Sequence, residues 1–282
     1  MVVQHNLTAM NSNRMLNITT NTQAKQTERL ASGYKINRAA DDAAGLSVSE
    51  KMRRQIRGLD QASTNAQDGV SLVQSAEGAL NEVHDMLQRM NELTVKASNG
   101  TYTTTQKQYI ADEINQLVSE IDRVASTTKF NDQKVLYGSD GNGATGAKSF
   151  SFQVGNESNE TMSVAISNMK ATEIHASLKN QSWSAATQYS QVASFITVVS
   201  SALEKVASQR SALGAVQNRL EHTINNLDNI VENTTAAESR IRDTDMAKSM
   251  VTYSNNQILA QAGQAMLAQA NQTNQGVLSL LQ

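Results

Sequence analysis

Between Ser184 and Asn233 apolar side chains recur every three or four residues, at Val192, Ile196, Val199, Leu203, Val206, Leu213, Val216, Leu220, Ile224, Leu227 and Val231, with one gap filled by Arg210. That spacing is one face of an α-helix sustained over several heptads. The chain contains no proline, and the single glycine in the stretch, Gly214, costs about 1 kcal/mol against alanine without ending a packed helix. At about 1.5 Å per residue the helix is about 70 Å long. Its stripe needs cover, because a buried Leu, Ile or Val contributes about 1.5–3 kcal/mol only when another surface takes it out of water. Helical partners are therefore expected elsewhere in the chain.

Two further stripes supply them. One runs from Leu59 to Ser98 through Val73, Ala76, Leu80, Val83, Leu87, Met90, Leu93 and Ala97. The other runs to Val124 through Ile110, Ile114, Leu117 and Ile121. Asn99-Gly100 separates them, and Thr105 with Gln108 fits a capping box for the second. Three such stripes bury one another as a long antiparallel bundle with coiled-coil packing. Upstream, a short helix over 43–57 is expected to break near Gly58. From Phe130 the period changes: 135–137, 149–154 and 162–166 alternate apolar and polar residues between Gly/Asn/Asp-rich turns, which reads as a small β-hairpin element within 130–170. Residues 171–183 are ambiguous.

The two ends are different in kind. Residues 1–34 carry helical spacing at Val3, Leu7, Met10, Leu16 and Leu30, have only four charged side chains, and stop at Gly33, a left-handed C-cap in expectation. After Lys248 no charged side chain occurs in the last 34 residues, although Gln and Asn recur throughout. Tyr253, Ile258, Ala262, Met266 and Leu267 give that segment an apolar side. Such a helix is too polar for lipid and too uncharged for an exposed surface. It is expected to pair with the first helix and to lie buried among helices of other molecules.

Composition removes several function classes. With no cysteine there is no disulfide scaffold, thiol nucleophile or Cys-ligated metal. A formal net charge of −2 gives no footprint for nucleic acid. The start shows no cleavable signal, and no window of about 18 apolar residues spans a membrane. A carboxylate-bridged metal pair in a bundle wants Glu three residues before His, but those positions hold Val2, Asn81, Thr172 and Arg219. No G-x-S-x-G motif supports a serine hydrolase. The run from Gly141 to Ser149 is one residue away from a phosphate-cradling G-x-x-x-x-G-K-S, but the residues after it alternate like a strand, so it reads as a hairpin turn. Lys51, Arg53, Arg54 and Arg57 read as a solvated or interface face. No catalytic residue, cofactor or metal site is expected.

Several ordered motifs resemble bacterial flagellin. Toward the start these are Leu30 to Gly33 (LASG), Ile36 to Gly45 (INRAADDAAG), Gly78 to Glu82 (GALNE) and Phe130-Asn131. Toward the end they are Ser239 to Asp243 (SRIRD), Gln257 to Leu259 (QIL), Leu267 to Asn271 (LAQAN) and Val277 to Leu281 (VLSLL). The resemblance covers about 1–138 and 184–282. It implies a filament subunit with an inner core domain of terminal helices, 1–42 with 236–282, around a central channel. An outer core domain of long helices, 43–235, would carry the hairpin. With about 45 residues between the matching halves, the chain resembles a minimal flagellin with little or no variable outer domain. Asn274 stands where many relatives have proline, and Gln282 where a basic residue is common.

The same resemblance implies export through the flagellar secretion apparatus, an extracellular place in the filament, and partners in the flagellar cap, hook-associated proteins and an export chaperone. It further implies recognition by the host Toll-like receptor that senses flagellins. The family's receptor patch resembles Gln88, Arg89, Glu92 and Leu93 with Glu113 on the next helix, and Asn91 replaces a common Arg. Arg89 and Leu93 are four apart, so they are expected to share an exposed face opposite Glu113. Filament core assembly is expected to rest on Leu7, Met10, Leu16, Ile258, Ala262, Met266, Leu267, Leu278 and Leu281. A hook–filament junction protein of the same family remains an alternative, and a metal-binding helical bundle a remoter one.

Overall fold

A computed structural model describes residues 6–138, 146–179, 181 and 189–279, with side chains over 191–273 in the last span. The order is α1 (Leu7–Ser32), α2 (Ala43–Ala97), α3 (Thr104–Thr127), β1 (Lys129–Phe130), β2 (Gln133–Lys134), β3 (Lys148–Gln153), β4 (Thr161–Ile166), α4 (Ala171–Ile174), a 3-10 turn (Ala176–Leu178), α5 (Tyr189–Arg242) and α6 (Met246–Ser279). The fold is mainly α, with long antiparallel helices, a small hairpin and paired terminal helices. The chain divides into two compact units: residues up to Ile56 together with those from Glu232 on, and Arg57–Val231.

In the central unit the expected stripes face inward. Leu80, Val83, Leu87 and Met90 of α2, Ile114 and Ile121 of α3, and Val199 and Val206 of α5 are all fully buried in one cluster. Pairings between α2 and α5 run in opposite senses. Leu59 packs with Leu227, Ala66 with Leu220, and Glu77 lies 3.7 Å from Arg210. The helix α5 passes straight through Gly214, as its propensity cost allows. It also continues to Arg242, eleven residues beyond Val231 at the end of the stripe.

Three expectations are corrected here. No break occurs near Gly58, because α2 is continuous from Ala43 to Ala97. A Cβ at Gly58 would lie 2.0 Å from Asn156 Oδ1, so this glycine is a notch that admits the hairpin loop, not a helix stop. The capping box lies two residues earlier than expected. Gln106 N donates to Thr103 Oγ1 at 3.4 Å and Thr103 N to Gln106 Oε1 at 3.0 Å. Finally, 135–137 is not a strand; Val135 and Leu136 instead plug the core directly.

The β-region is a pair of two-stranded antiparallel elements. β1 and β2 are joined by Asn131 and Asp132, both at positive φ (47° and 62°), which is the backbone of a two-residue hairpin turn and suits these residue types. β3 pairs with β4 from Lys148 opposite Ile166 to Gln153 opposite Thr161. Strand β4 alternates, so Met162, Val164 and Ile166 are buried and the residues between them exposed. Gln209 of α5 locks this hairpin in place: its Nε2 donates to Ala165 O at 3.1 Å, and its Oε1 accepts from Ser167 N at 3.4 Å. Most of the glycine-rich run from Gly141 lies outside the described residues; its last two positions, Lys148 and Ser149, open strand β3.

The described part of the ambiguous segment after the hairpin, 171–179 and 181, is a strap along α3. Asp122 accepts from Ala171 N at 2.9 Å and pairs with Lys179 at 3.0 Å, and Asn115 exchanges two hydrogen bonds with the Gln181 backbone. Ile174 and Leu178 enter the core beneath it. Among the described residues no helix is long and apolar enough to cross a membrane.

Candidate functional site

Two surfaces carry the expected functional residues, one in each unit. In the terminal unit α1 and α6 run antiparallel with their backbones in close approach. Asn6 begins the pairing: its Oδ1 caps α1 by accepting from Ala9 N at 3.0 Å, while its Nδ2 donates to Ala270 O at 3.0 Å. Farther along, a Cβ on Gly263 would lie 3.3 Å from Leu16 Cδ1. At the other end Gly33 takes a left-handed φ of 76°, as expected, and its N–H donates to Arg29 O.

The seam of this pair is built from small residues. Ala260 and Ala270 are its buried members among the described residues, with Gly263 and Leu267 half-buried between them and Asn256 half-buried one turn before. Steps of four and three at 256, 260, 263, 267 and 270 carry the signal of this face, but its small side chains are masked by the larger apolar ones beside them. Of the expected assembly residues, Leu16 and Leu267 lie on the seam. Leu7 (68% exposed), Met10, Ile258 and Met266 (64% exposed), with Ala262, lie off it in the open. Leu281 and the side chain of Leu278 lie outside the described residues. No residue of α1 is buried at all. Met15, Leu259 and Met266 line a groove of about 330 Å³ between the two helices.

The second surface is on the central unit. Arg89 of α2 reaches across to α3, where its Nε and Nη2 donate to Glu113 Oε1 at 3.3 and 3.0 Å, while Nη1 donates to Glu92 Oε2 at 3.2 Å. All three side chains are exposed, Glu113 the least at 47%. The two carboxylates hold the guanidinium charged, raising its pKa, with Glu113 the larger influence. Gln88, also exposed, lies 2.9 Å from His84 Nε2. The structure thus brings Arg89, Glu92 and Glu113 together, with Gln88 beside them. Leu93 does not join them. It is 2% exposed and belongs to the bundle core, so the expectation of an exposed Leu anchor is corrected.

Apolar side chains thus stand uncovered on a helical pair that carries few charges, while the central bundle buries its own. The profile of the bacterial flagellin N-terminal helical region matches residues 3–140, and that of the bacterial flagellin C-terminal helical region matches 196–281. The chain belongs to the bacterial flagellin family. It is 50% identical over 281 residues to a flagellin of Halalkalibacterium halodurans, each chain covered in full. It is 49% identical over 290 residues to the flagellar filament 31.3 kDa core protein of Treponema maltophilum, again covering both chains completely. A solved structure of a flagellar hook-associated protein from Vibrio parahaemolyticus shares the fold, with a TM-score of 0.60 at 14% identity, covering 72% of this chain and all of that one. Family membership makes the chain a structural subunit of a flagellar filament, in a family of structural proteins and not enzymes.

Proposed function

We propose that the chain polymerises outside the cell into a long helical filament whose inner core is formed by α1 and α6 and whose outer core is formed by the long helices and hairpin. The observation that carries this reading is the exposure of Leu7, Met10, Ile258 and Met266 on helices that have almost no charge to solvate them. Burying such side chains between copies contributes about 1.5–3 kcal/mol apiece. The Gln and Asn residues between them can hydrogen-bond across the same contacts. A pair of helices with so little covered surface is also easily unravelled, which suits export through the flagellar secretion apparatus as an extended chain with a chaperone on the ends. The cap and hook-associated proteins would be neighbours at the two ends of the filament.

Electron microscopy of the purified, concentrated protein tests this. Long filaments of constant diameter are expected. Short stubs or rings would point instead to a hook–filament junction protein.

We further propose that Gln88, Arg89, Glu92 and Glu113 form the face recognised by the flagellin-sensing Toll-like receptor. Arg89 is held in a fixed orientation by two carboxylates from two helices, and a pre-oriented arginine is favoured at the centre of interfaces. Leu93 would act only indirectly, by fixing the spacing of α2 and α3 beneath the patch.

A further inference from the structure

The two linkers of the terminal unit meet in a knuckle. Tyr34 and Asp243 form an antiparallel bridge, flanked by Lys35 N donating to Arg242 O at 2.7 Å and Thr244 N donating to Gly33 O at 2.9 Å. The Arg242 guanidinium stacks 4.6 Å over the Tyr34 ring. Beside the knuckle is a cleft of about 340 Å³, walled by four cations, Arg29, Lys35, Arg240 and Lys248, and by Asp243 and Asp245.

The charges in this cleft do not balance, since four cations line it with two carboxylates, one oxygen of each of which accepts a local hydrogen bond. Asp243 Oδ2 accepts from Ser239 Oγ at 2.7 Å, and Asp245 Oδ1 accepts from Lys248 N at 3.0 Å in the first turn of α6. Among the described residues none of the four cations forms an ion pair. Two of the lining residues, Arg29 and Thr244, each keep one polar atom, Nε and Oγ1, buried with no hydrogen-bond partner among the described residues. Native structures seldom leave such groups unsatisfied, because each has given up its water for nothing. Guanidinium, hydroxyl and ammonium side chains that line one cleft beside the positive end of a 34-residue helix are the donor types an oxyanion takes.

We propose that this cleft is an oxyanion-binding site that fastens the terminal helix pair at its linkers when the filament forms. The proposal rests on the filament reading for where it acts, and on the cleft alone for what it binds. Phosphate and carboxylate share the required chemistry, and the source is either a free multivalent anion or a carboxylate of a second copy of the chain.

The test uses the full chain and the double variant Lys35→Gln/Lys248→Gln, both positions being exposed. The critical concentration for polymerisation is measured in sodium phosphate and in sodium chloride at equal ionic strength. If the ligand is a free anion, phosphate lowers the wild-type value about fivefold or more, the double variant loses that response, and Lys35→Arg/Lys248→Arg keeps it. If it is a neighbour's carboxylate, the wild type assembles alike in both salts, the double variant needs about fivefold more protein, and the Arg variant restores assembly. Equal critical concentrations for wild type and double variant in both salts overturn the proposal. A wild type that polymerises in neither salt counts against the filament reading only. The cleft is then read from acetylation of the Lys35 and Lys248 amines by mass spectrometry: protection by inorganic phosphate sustains the site, and its absence removes it.

Discussion

The helices α1 and α3 are almost the same length, 26 and 24 residues, yet α3 buries six side chains within the chain and α1 buries none. What differs is the partners. The stripe of α3 faces two other long helices and the strap over 171–179, whereas α1 packs chiefly on α6, across a seam rich in Ala and Gly, and meets the linker after it through exposed polar groups such as Lys25 and Glu28. The central unit therefore carries its own core, and the terminal unit carries apolar surface left uncovered among the described residues, which in the proposed filament other copies would cover. Charge follows the same division only beyond Lys248, because Lys25 with Asp41 and Arg38 with Glu28 are ion pairs of the terminal unit. Ion pairs such as Arg89 with Glu113 and Lys179 with Asp122 decorate the bundle, while the last 34 residues have no charge to keep out of an interface.

The contrast is broken most completely by a charge on the terminal face. Met266→Asp or Ile258→Asp places a carboxylate where neighbouring copies would offer no partner, a desolvation cost on the order of several kcal/mol per subunit. Polymer should be absent on sedimentation and microscopy, with the thermal melt of the central unit unchanged. Next in size is the core itself. Leu87→Ala removes a fully buried side chain and should destabilise the monomer by about 2–5 kcal/mol in urea unfolding. Leu7→Ala, at an exposed position, should leave the same unfolding curve in place and raise the critical concentration for assembly.

A smaller effect separates the bundle's outer face from its core. Arg89→Ala should weaken binding of the monomer to the receptor ectodomain about 5- to 150-fold. The melting temperature should stay the same, since the guanidinium is half-exposed and its partners can return to water. Unchanged affinity would remove the patch from the account. Leu93→Ala would be expected to lower stability first, and affinity only as a consequence.

How far the sequence carries depends on whether one helix face decides the matter. The stripes at 73–97, 110–124 and 192–231 do, because three- and four-residue spacing leaves one burial solution. The first of these stripes already contained Leu93, and a residue four away from an exposed Arg is not thereby exposed; the helical face, not the pair spacing, decides. Gly58 was illegible as a notch, since its reason is Asn156, almost a hundred residues away in a hairpin loop. Thr103 and Thr105 each have a Gln three residues on, so local chemistry permitted two capping boxes and the chain took the earlier. The Ala and Gly seam of α6 was written in its spacing but hidden by the larger side chains beside it.

The smallest expected effect is on pH. Asp41 is held at a pKa of about 2, well below its usual value of 3.8, chiefly by its hydrogen bond to Lys25 and also by the Arg38 backbone N–H. It lies 2.8 Å from Lys25 and is only 13% exposed. Because the folded form holds the lower pKa, this contribution is complete above about pH 4 and is lost as pH falls through about 2. It ties α1 to the linker after Gly33, so acid should loosen the terminal unit over that interval. In Lys25→Met the part of the acid dependence of filament dissociation between pH 4 and 2 should flatten, while the bundle's own acid unfolding stays as it is.

Limited proteolysis of monomer and polymer, side by side, tests the central claim most directly. If α1 and α6 are held by neighbouring copies, trypsin should trim the monomer from both ends, through about Tyr34 and from about Thr244 onward, to a stable fragment containing the central unit, and should leave both ends intact in the polymer. Equal resistance of the two ends in monomer and polymer would contradict it, because the terminal pair would then be stable by itself.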